Sequence, residues 1–141
     1  MIRLALVRVG GRITEEIGRL KRACVASYQM ASKQARTYWP SGALFSQGTL
    51  LAGKKEGLWE EWRKDGRLAE SGTYKGGELH GLFEHYWPSG KLAIRTYYKE
   101  GTQYGSYEFY HSNGQLAFRS QDGQTVRYTE AGSLFYQSTS S

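Results

Sequence analysis

Residues 86–110 read YWPSGKLAIRTYYKEGTQYGSYEFY, and the chain repeats this stretch along its length. A shift of 24 residues towards the N-terminus lands on WRKDGRLAESGTYKGGELHGLFEHY, which starts at Trp62, and a second lands on YWPSGALFSQGTLLAGKKEGLWEEW, which starts at Tyr38. Gly42, Gly66, Gly90 and Gly114 keep the step, as do Leu44, Leu68, Leu92 and Leu116 and the glycines Gly57, Gly81 and Gly105. Two aromatic columns follow it, one through Tyr38, Trp62, Tyr86 and Tyr110, the other through Trp59, Phe83 and Tyr107. An acidic column, Glu60, Glu84 and Glu108, lies beside them. Self-similarity at a fixed period of this size is the signature of a repeat array, in which each unit buries its apolar surface against its neighbours.

Each unit opens on a four-residue turn: Trp39-Pro40-Ser41-Gly42, Arg63-Lys64-Asp65-Gly66, Trp87-Pro88-Ser89-Gly90 and His111-Ser112-Asn113-Gly114. Proline pre-sets φ for the second position of a type I turn, Ser, Asp or Asn suits the third, and glycine takes the left-handed position that closes a bulged hairpin. An alternating strand then leaves, a looser glycine-bearing loop such as Lys99–Gly105 follows, and a return strand runs from Ser106 to His111. Two strands per unit, joined by connections this short, form an antiparallel meander. The expected fold is all-β: an elongated, single-layer antiparallel meander of tandem 24-residue hairpins, about ten strands in all.

The ends depart from the period. Residues 1–13 alternate as an N-terminal strand that stops at Gly10-Gly11. Residues 14–37 admit two readings. Their content of helix formers after Thr14 suits a helix, whereas Gly18 and Leu20 fall in the repeat register and favour a worn repeat, with Gln29 and Lys33 where loop glycines would stand. The last unit, 111–137, is shortened: Tyr128, Gly132 and Leu134 follow Tyr110, Gly114 and Leu116 by 18 residues, with Asp122-Gly123 as a tight turn. Residues 138–141 read as a disordered polar tail.

Composition agrees with a thin sheet. The hydrophobic share of 39% is low for a two-layer globule, while an aromatic share of 14% supplies amphipathic rings that cover a sheet face and keep a polar end in water. The net charge of +6 leaves acidic partners open, including a membrane surface, but Lys and Arg are scattered and form no polybasic block. Cys24 is the sole cysteine, so neither a disulfide framework nor a cysteine zinc site can form. The apolar N-terminal run is broken by Arg3 and Arg8, which argues against a signal peptide and points to a cytoplasmic location.

The unit aromatic-x-x-x-Gly-x-Leu, then Tyr, then Gly-x-x-x-Gly-x-aromatic-x-x-aromatic resembles the MORN repeat, and more closely its variant in bacterial YwqK-type antitoxin proteins. The matching residues are Tyr74, Gly77, Gly81, Phe83 and Tyr86 in one unit and Tyr98, Gly101, Gly105, Tyr107 and Tyr110 in the next. Leu50 departs from the pattern, standing where the later units have Tyr74 and Tyr98. The resemblance implies a protein-interaction or membrane-associated module, and for the YwqK type an antitoxin or immunity protein that binds a cognate toxin or effector.

Candidate binding residues follow from strand alternation. Trp59, Phe83 and Tyr107 sit three residues before Trp62, Tyr86 and Tyr110, so the two columns occupy opposite faces, one packing the sheet and the other open to a partner. Glu60, Glu84 and Glu108 share the face of Trp62, Tyr86 and Tyr110. At about 10 Å from unit to unit these carboxylates are too far apart for paired acid–base chemistry. They can dock a basic surface or, as the simpler role, pair across strands with Lys and Arg. His80, His85 and His111 lack metal-ligand spacing, and no nucleophile motif or phosphate loop is present, so neither catalysis nor a cofactor is expected. A stacking platform for single-stranded nucleic acid would use the same rings, but sheet packing accounts for them. Open sheet edges leave self-association as a further mode.

Overall fold

A computed structural model describes residues 13–139. One helix, α1 (Ile13–Ala31), leads without a loop into ten strands: β1 (Ser32–Tyr38), β2 (Leu44–Leu51), β3 (Lys54–Trp62), β4 (Leu68–Lys75), β5 (Glu78–Tyr86), β6 (Leu92–Lys99), β7 (Thr102–Tyr110), β8 (Leu116–Gln121), β9 (Gln124–Tyr128) and β10 (Leu134–Thr139). The strands form one open sheet in strict sequence order, and every neighbouring pair is antiparallel. At about 4.8 Å per strand the sheet is about 45 Å wide. The all-β meander read from the repeat is the fold.

The four-residue turns are identical in bonding. Gly42, Gly66, Gly90 and Gly114 donate their N–H to the carbonyls of Trp39, Arg63, Trp87 and His111 at 2.8–2.9 Å, and a fifth turn, Thr129–Gly132, does the same. The closing glycines hold φ between 81° and 95°, the left-handed region that a side chain would strain. The second connection is tighter than expected. Instead of a loose Lys99–Gly105 loop, Glu100 (φ 51°) and Gly101 (φ 74°) make a two-residue turn with both central residues left-handed. That twist matches the strands it joins. The return strand therefore begins at Thr102, and Gly105 lies inside it, where the register skips from Thr96↔Tyr107 to Tyr97↔Tyr104. Gly57 lies at the same kind of bulge.

Of the two readings of 14–37, the worn strand pair is corrected. Ile13–Ala31 is a helix, and Gly18 and Leu20 lie within it. A hairpin here would need left-handed glycines equivalent to Gly53 (φ 79°) and Gly57 (φ 71°), and Gln29 and Lys33 replace them. Ala, Leu, Lys, Arg and Glu then settle the segment as helix. Half of the worn unit survives, because β1 is its return strand. The strand expected over residues 1–13 lies outside the described residues except for Ile13, which opens α1. The polar tail is also corrected: Ser138 and Thr139 pair with Thr125 and Gln124 in β10, while 140–141 lie outside the described residues.

A single-layer sheet has little interior. Buried residues form a row through the middle of one face, Trp59 (7% exposed), Thr96 (1%) and Ser46 (6%) with Gly48 and Gly72, and Ala93 and Ala117 are buried beside the four-residue turns. Gly48 pairs with Trp59, whose ring lies flat across it, and Trp59 Nε1–H donates to the Thr49 carbonyl at 2.9 Å. A Cβ on Gly48 would stand 2.3 Å from that ring. The row continues as Gly72 against Phe83 and Thr96 against Tyr107, so smaller residues sit beneath larger rings.

Candidate functional site

Direct pairing puts side chains on the same face of the sheet. Trp62 pairs with Leu68, Tyr86 with Leu92 and Tyr110 with Leu116, at equivalent places beside the four-residue turns. Tyr38 with Leu44 and Tyr128 with Leu134 extend this apolar row to both ends. The interior rings are half-buried by their neighbours, whereas Tyr38 (59% exposed) and Leu134 (54%) lie open. Trp59, Phe83 and Tyr107 occupy the opposite face, where they pack the sheet as described above.

Two residues inward from the turns, the carboxylates enter a continuous cross-strand row. The register runs Gln47, Glu60, Ser71, Glu84, Arg95, Glu108, Arg119. Arg95 donates to Glu84 at 2.8 Å and stands 4.0 Å from Glu108, and Arg119 donates to Glu108 at 2.9 Å. Gln47 donates to Glu60 at 3.0 Å. The side chains of Glu84 (13% exposed) and Glu108 (12%) are covered by their partners, while the arginines (42% and 45%) form the outer layer. The face that reads as acidic in sequence is therefore charge-neutralised over β5–β8. Glu60 takes an amide partner rather than a cation.

The row also ties the rings to the charges. Tyr86 O–H donates to Glu84 at 2.6 Å and Tyr110 O–H to Glu108 at 2.7 Å. Burial, and then the bond to Glu84, push the Tyr86 phenol up to about 12. The same causes raise Tyr110, with Glu108 as its partner. The hydrogen bond to Glu84 in turn holds Arg95 above its ordinary value. The six residues Trp62, Tyr86, Tyr110, Glu60, Glu84 and Glu108 thus share one face, as alternation predicts. The acidic column there has the cross-strand pairing role.

Sequence reading missed two features. Arg95 and Arg119 are the counter-charges, and the register that aligns them with the acids depends on bulges which no single unit displays. The first turn residue is also a staple between units. Trp39 Nε1–H donates to the Trp62 carbonyl, Arg63 to the Tyr86 carbonyl and Trp87 Nε1–H to the Tyr110 carbonyl, at 2.6–3.0 Å. His111 Nε2 lies 3.1 Å from the Tyr128 carbonyl in the shortened unit. The 24-residue column 39/63/87 was visible, but Trp and Arg serve the same bond, so no residue type marks it.

Residues 79–100 and 103–120 match the family model described as a MORN repeat variant. These two segments are similar to the MORN repeat variant. Each matched segment comprises a return strand, a four-residue turn and an outgoing strand: β5–β6 in one and β7–β8 in the other. No curated protein matches the chain. MORN repeats are generally protein- or lipid-binding modules, and the ring row and charged row described above give this array one built face. Among the described residues no helix is long and apolar enough to cross a membrane.

Proposed function

We propose that this repeat array is a non-enzymatic protein-binding module of the bacterial antitoxin or immunity type. In this reading it covers the surface of a cognate toxin or effector with the face that bears Trp62, Tyr86 and Tyr110. The observation that carries the reading is the row of rings and leucines repeated at every turn along that face, bordered by carboxylates whose charge Arg95 and Arg119 neutralise. Tyr86 and Tyr110, whose hydroxyls are already bonded, can be desolvated by a partner at low cost, and Trp and Tyr are strong interface anchors. The toxin assignment follows from the resemblance to YwqK-type proteins. A scaffold on anionic lipid is the second reading, favoured by the net charge of +6 and by Lys54, Lys75 and Lys99 exposed at one set of turns.

The two readings separate by salt. A tagged chain is used to capture partners from its native host, washed at high salt, and tested in parallel on vesicles with and without anionic lipid. A stoichiometric toxin-like enzyme that survives the wash, and is inhibited when the chain is added back, supports the proposal. That complex should be lost in the Trp62→Ala/Tyr86→Ala/Tyr110→Ala variant. Capture that vanishes at high salt, with vesicle binding that falls as steeply, overturns it in favour of lipid.

A further inference from the structure

The shortened last hairpin leaves a gap in the ladder. Within the array, the tip of each hairpin is bonded to the strand before it: Gly77 N–H donates to the Lys55 carbonyl and Gly101 N–H to the Leu79 carbonyl, both at 2.9 Å. The residue 24 positions after Leu79 is Gln103 in β7. There the chain has already turned back at Asp122-Gly123, and β8 pairs with β7 only over Tyr107–Tyr110. Thr102–Tyr104 therefore pairs with β6 on one side and, among the described residues, with no strand on the other. The two-residue turn at Glu100-Gly101 makes Lys99↔Thr102 and Tyr97↔Tyr104 the hydrogen-bonded pairs, so the backbone of Gln103 projects away from β6 into the gap. Tyr104, 63% exposed, is the neighbour of Gln103 along this edge.

We propose that this free edge is a docking notch for an extended segment of a partner protein that carries an aromatic residue followed by a basic one. The chain itself shows what fits. The segments that fill the equivalent place are Tyr74-Lys75 beside β3 and β5, and Tyr98-Lys99 beside β5 and β7. Tyr98 packs edge-on against Phe83 with ring centroids 5.8 Å apart. One unit on, Tyr107 takes the place of Phe83, while Asp122 stands where the ring would be. Tyr107 already packs edge-on against Phe118, with ring centroids 5.9 Å apart, so a peptide entering the notch adds one strand, gains the backbone bonds that the lost residues would have made, and sets its own ring where Tyr98 stands one unit earlier. This is strand addition at a sheet edge, with alternate side chains read on the two faces. The notch lies at the two-residue turns, at the other end of the strands from Trp62, Tyr86 and Tyr110, which stand beside the four-residue turns.

The test uses a synthetic peptide with the sequence of residues 94–101, IRTYYKEG, titrated onto the isotope-labelled full chain. Saturable amide shifts confined to Thr102–Tyr107 and the Asp122-Gly123 turn are expected, with Kd below about 1 mM and no shifts from a scrambled peptide. In one variant the segment Tyr98–Gly105 replaces Asp122-Gly123, which restores the full-length hairpin and fills the notch. It should bind the peptide at least tenfold more weakly while keeping the circular dichroism of the sheet. Gln103→Pro removes an edge-facing N–H that β6 does not use, and should weaken binding in the same way. Trp62→Ala should leave peptide binding unchanged, so failure of the toxin reading and failure of the notch are distinguishable. No shifts at saturating peptide, or equal binding by Gln103→Pro, would overturn the proposal.

Discussion

Gly48→Ala tests the packing that holds the sheet's buried row together. Alanine normally stabilises a strand position by about 0.4–1 kcal/mol relative to glycine, because it narrows the unfolded ensemble. Here the sign reverses. The new Cβ would stand 2.3, 2.4 and 2.5 Å from three atoms of the Trp59 indole, and the two residues cannot part because their strands are paired. The ring must slide by more than an ångström, which costs about 1–3 kcal/mol as overpacking. It also gives up the 2.9 Å bond to the Thr49 carbonyl, worth about 1 kcal/mol. Lys55 Nζ, 4.7 Å from the indole centroid, loses part of its cation–π contact as well. A net loss of about 3 kcal/mol is expected, read as a lower urea midpoint followed by circular dichroism. At Gly72 the nearest atom to a new Cβ is a Leu79 methyl at 3.0 Å, which can swing aside, so Gly72→Ala should cost about 1 kcal/mol. The cycle with Trp59→Ala is decisive. With the indole gone, Gly48→Ala should become neutral or stabilising, a strong departure from additivity. If Gly48→Ala lies within about 0.5 kcal/mol of wild type, or costs the same with and without Trp59, the reasoning is wrong.

Three further outcomes are expected. Trp87→Phe keeps a ring against Phe109 but loses the bond to the Tyr110 carbonyl, and should cost about 1 kcal/mol in thermal or urea unfolding. Arg95→Met leaves Glu84 and Glu108 facing each other without their shared cation. Because the arginine is 42% exposed, the cost should be about 1 kcal/mol, shrinking as salt is added. The Tyr86 phenol, held at about 12 against an ordinary 10, favours the fold in its neutral form. Its contribution is full below pH 10 and is lost as pH climbs towards 12, so unfolding midpoints should fall across that window and fall less in Tyr86→Phe. Phenolate absorbance during the titration should show a Tyr86-dependent step at the upper end of that window.

The repeat period, the turn residues and the alternation of Trp59 with Glu60 were enough to specify a meander of hairpins and to place Trp62, Tyr86 and Tyr110 on one face with the acids. Those features are local: a type I turn closed by glycine, or a side chain's face on a strand, depends on residues a few positions apart. Pairing between units was not legible. Arg95 meets Glu84 and Glu108 only because single-residue bulges beside the turns and larger ones at glycines such as Gly105 offset each strand in sequence. The helix at Ile13–Ala31 competed evenly with a worn hairpin until the missing left-handed glycines decided it. The notch beside Gln103 is tertiary in the same sense. Eighteen residues instead of 24 is a fact of sequence, but only the assembled sheet turns six absent residues into an open backbone edge beside an exposed tyrosine.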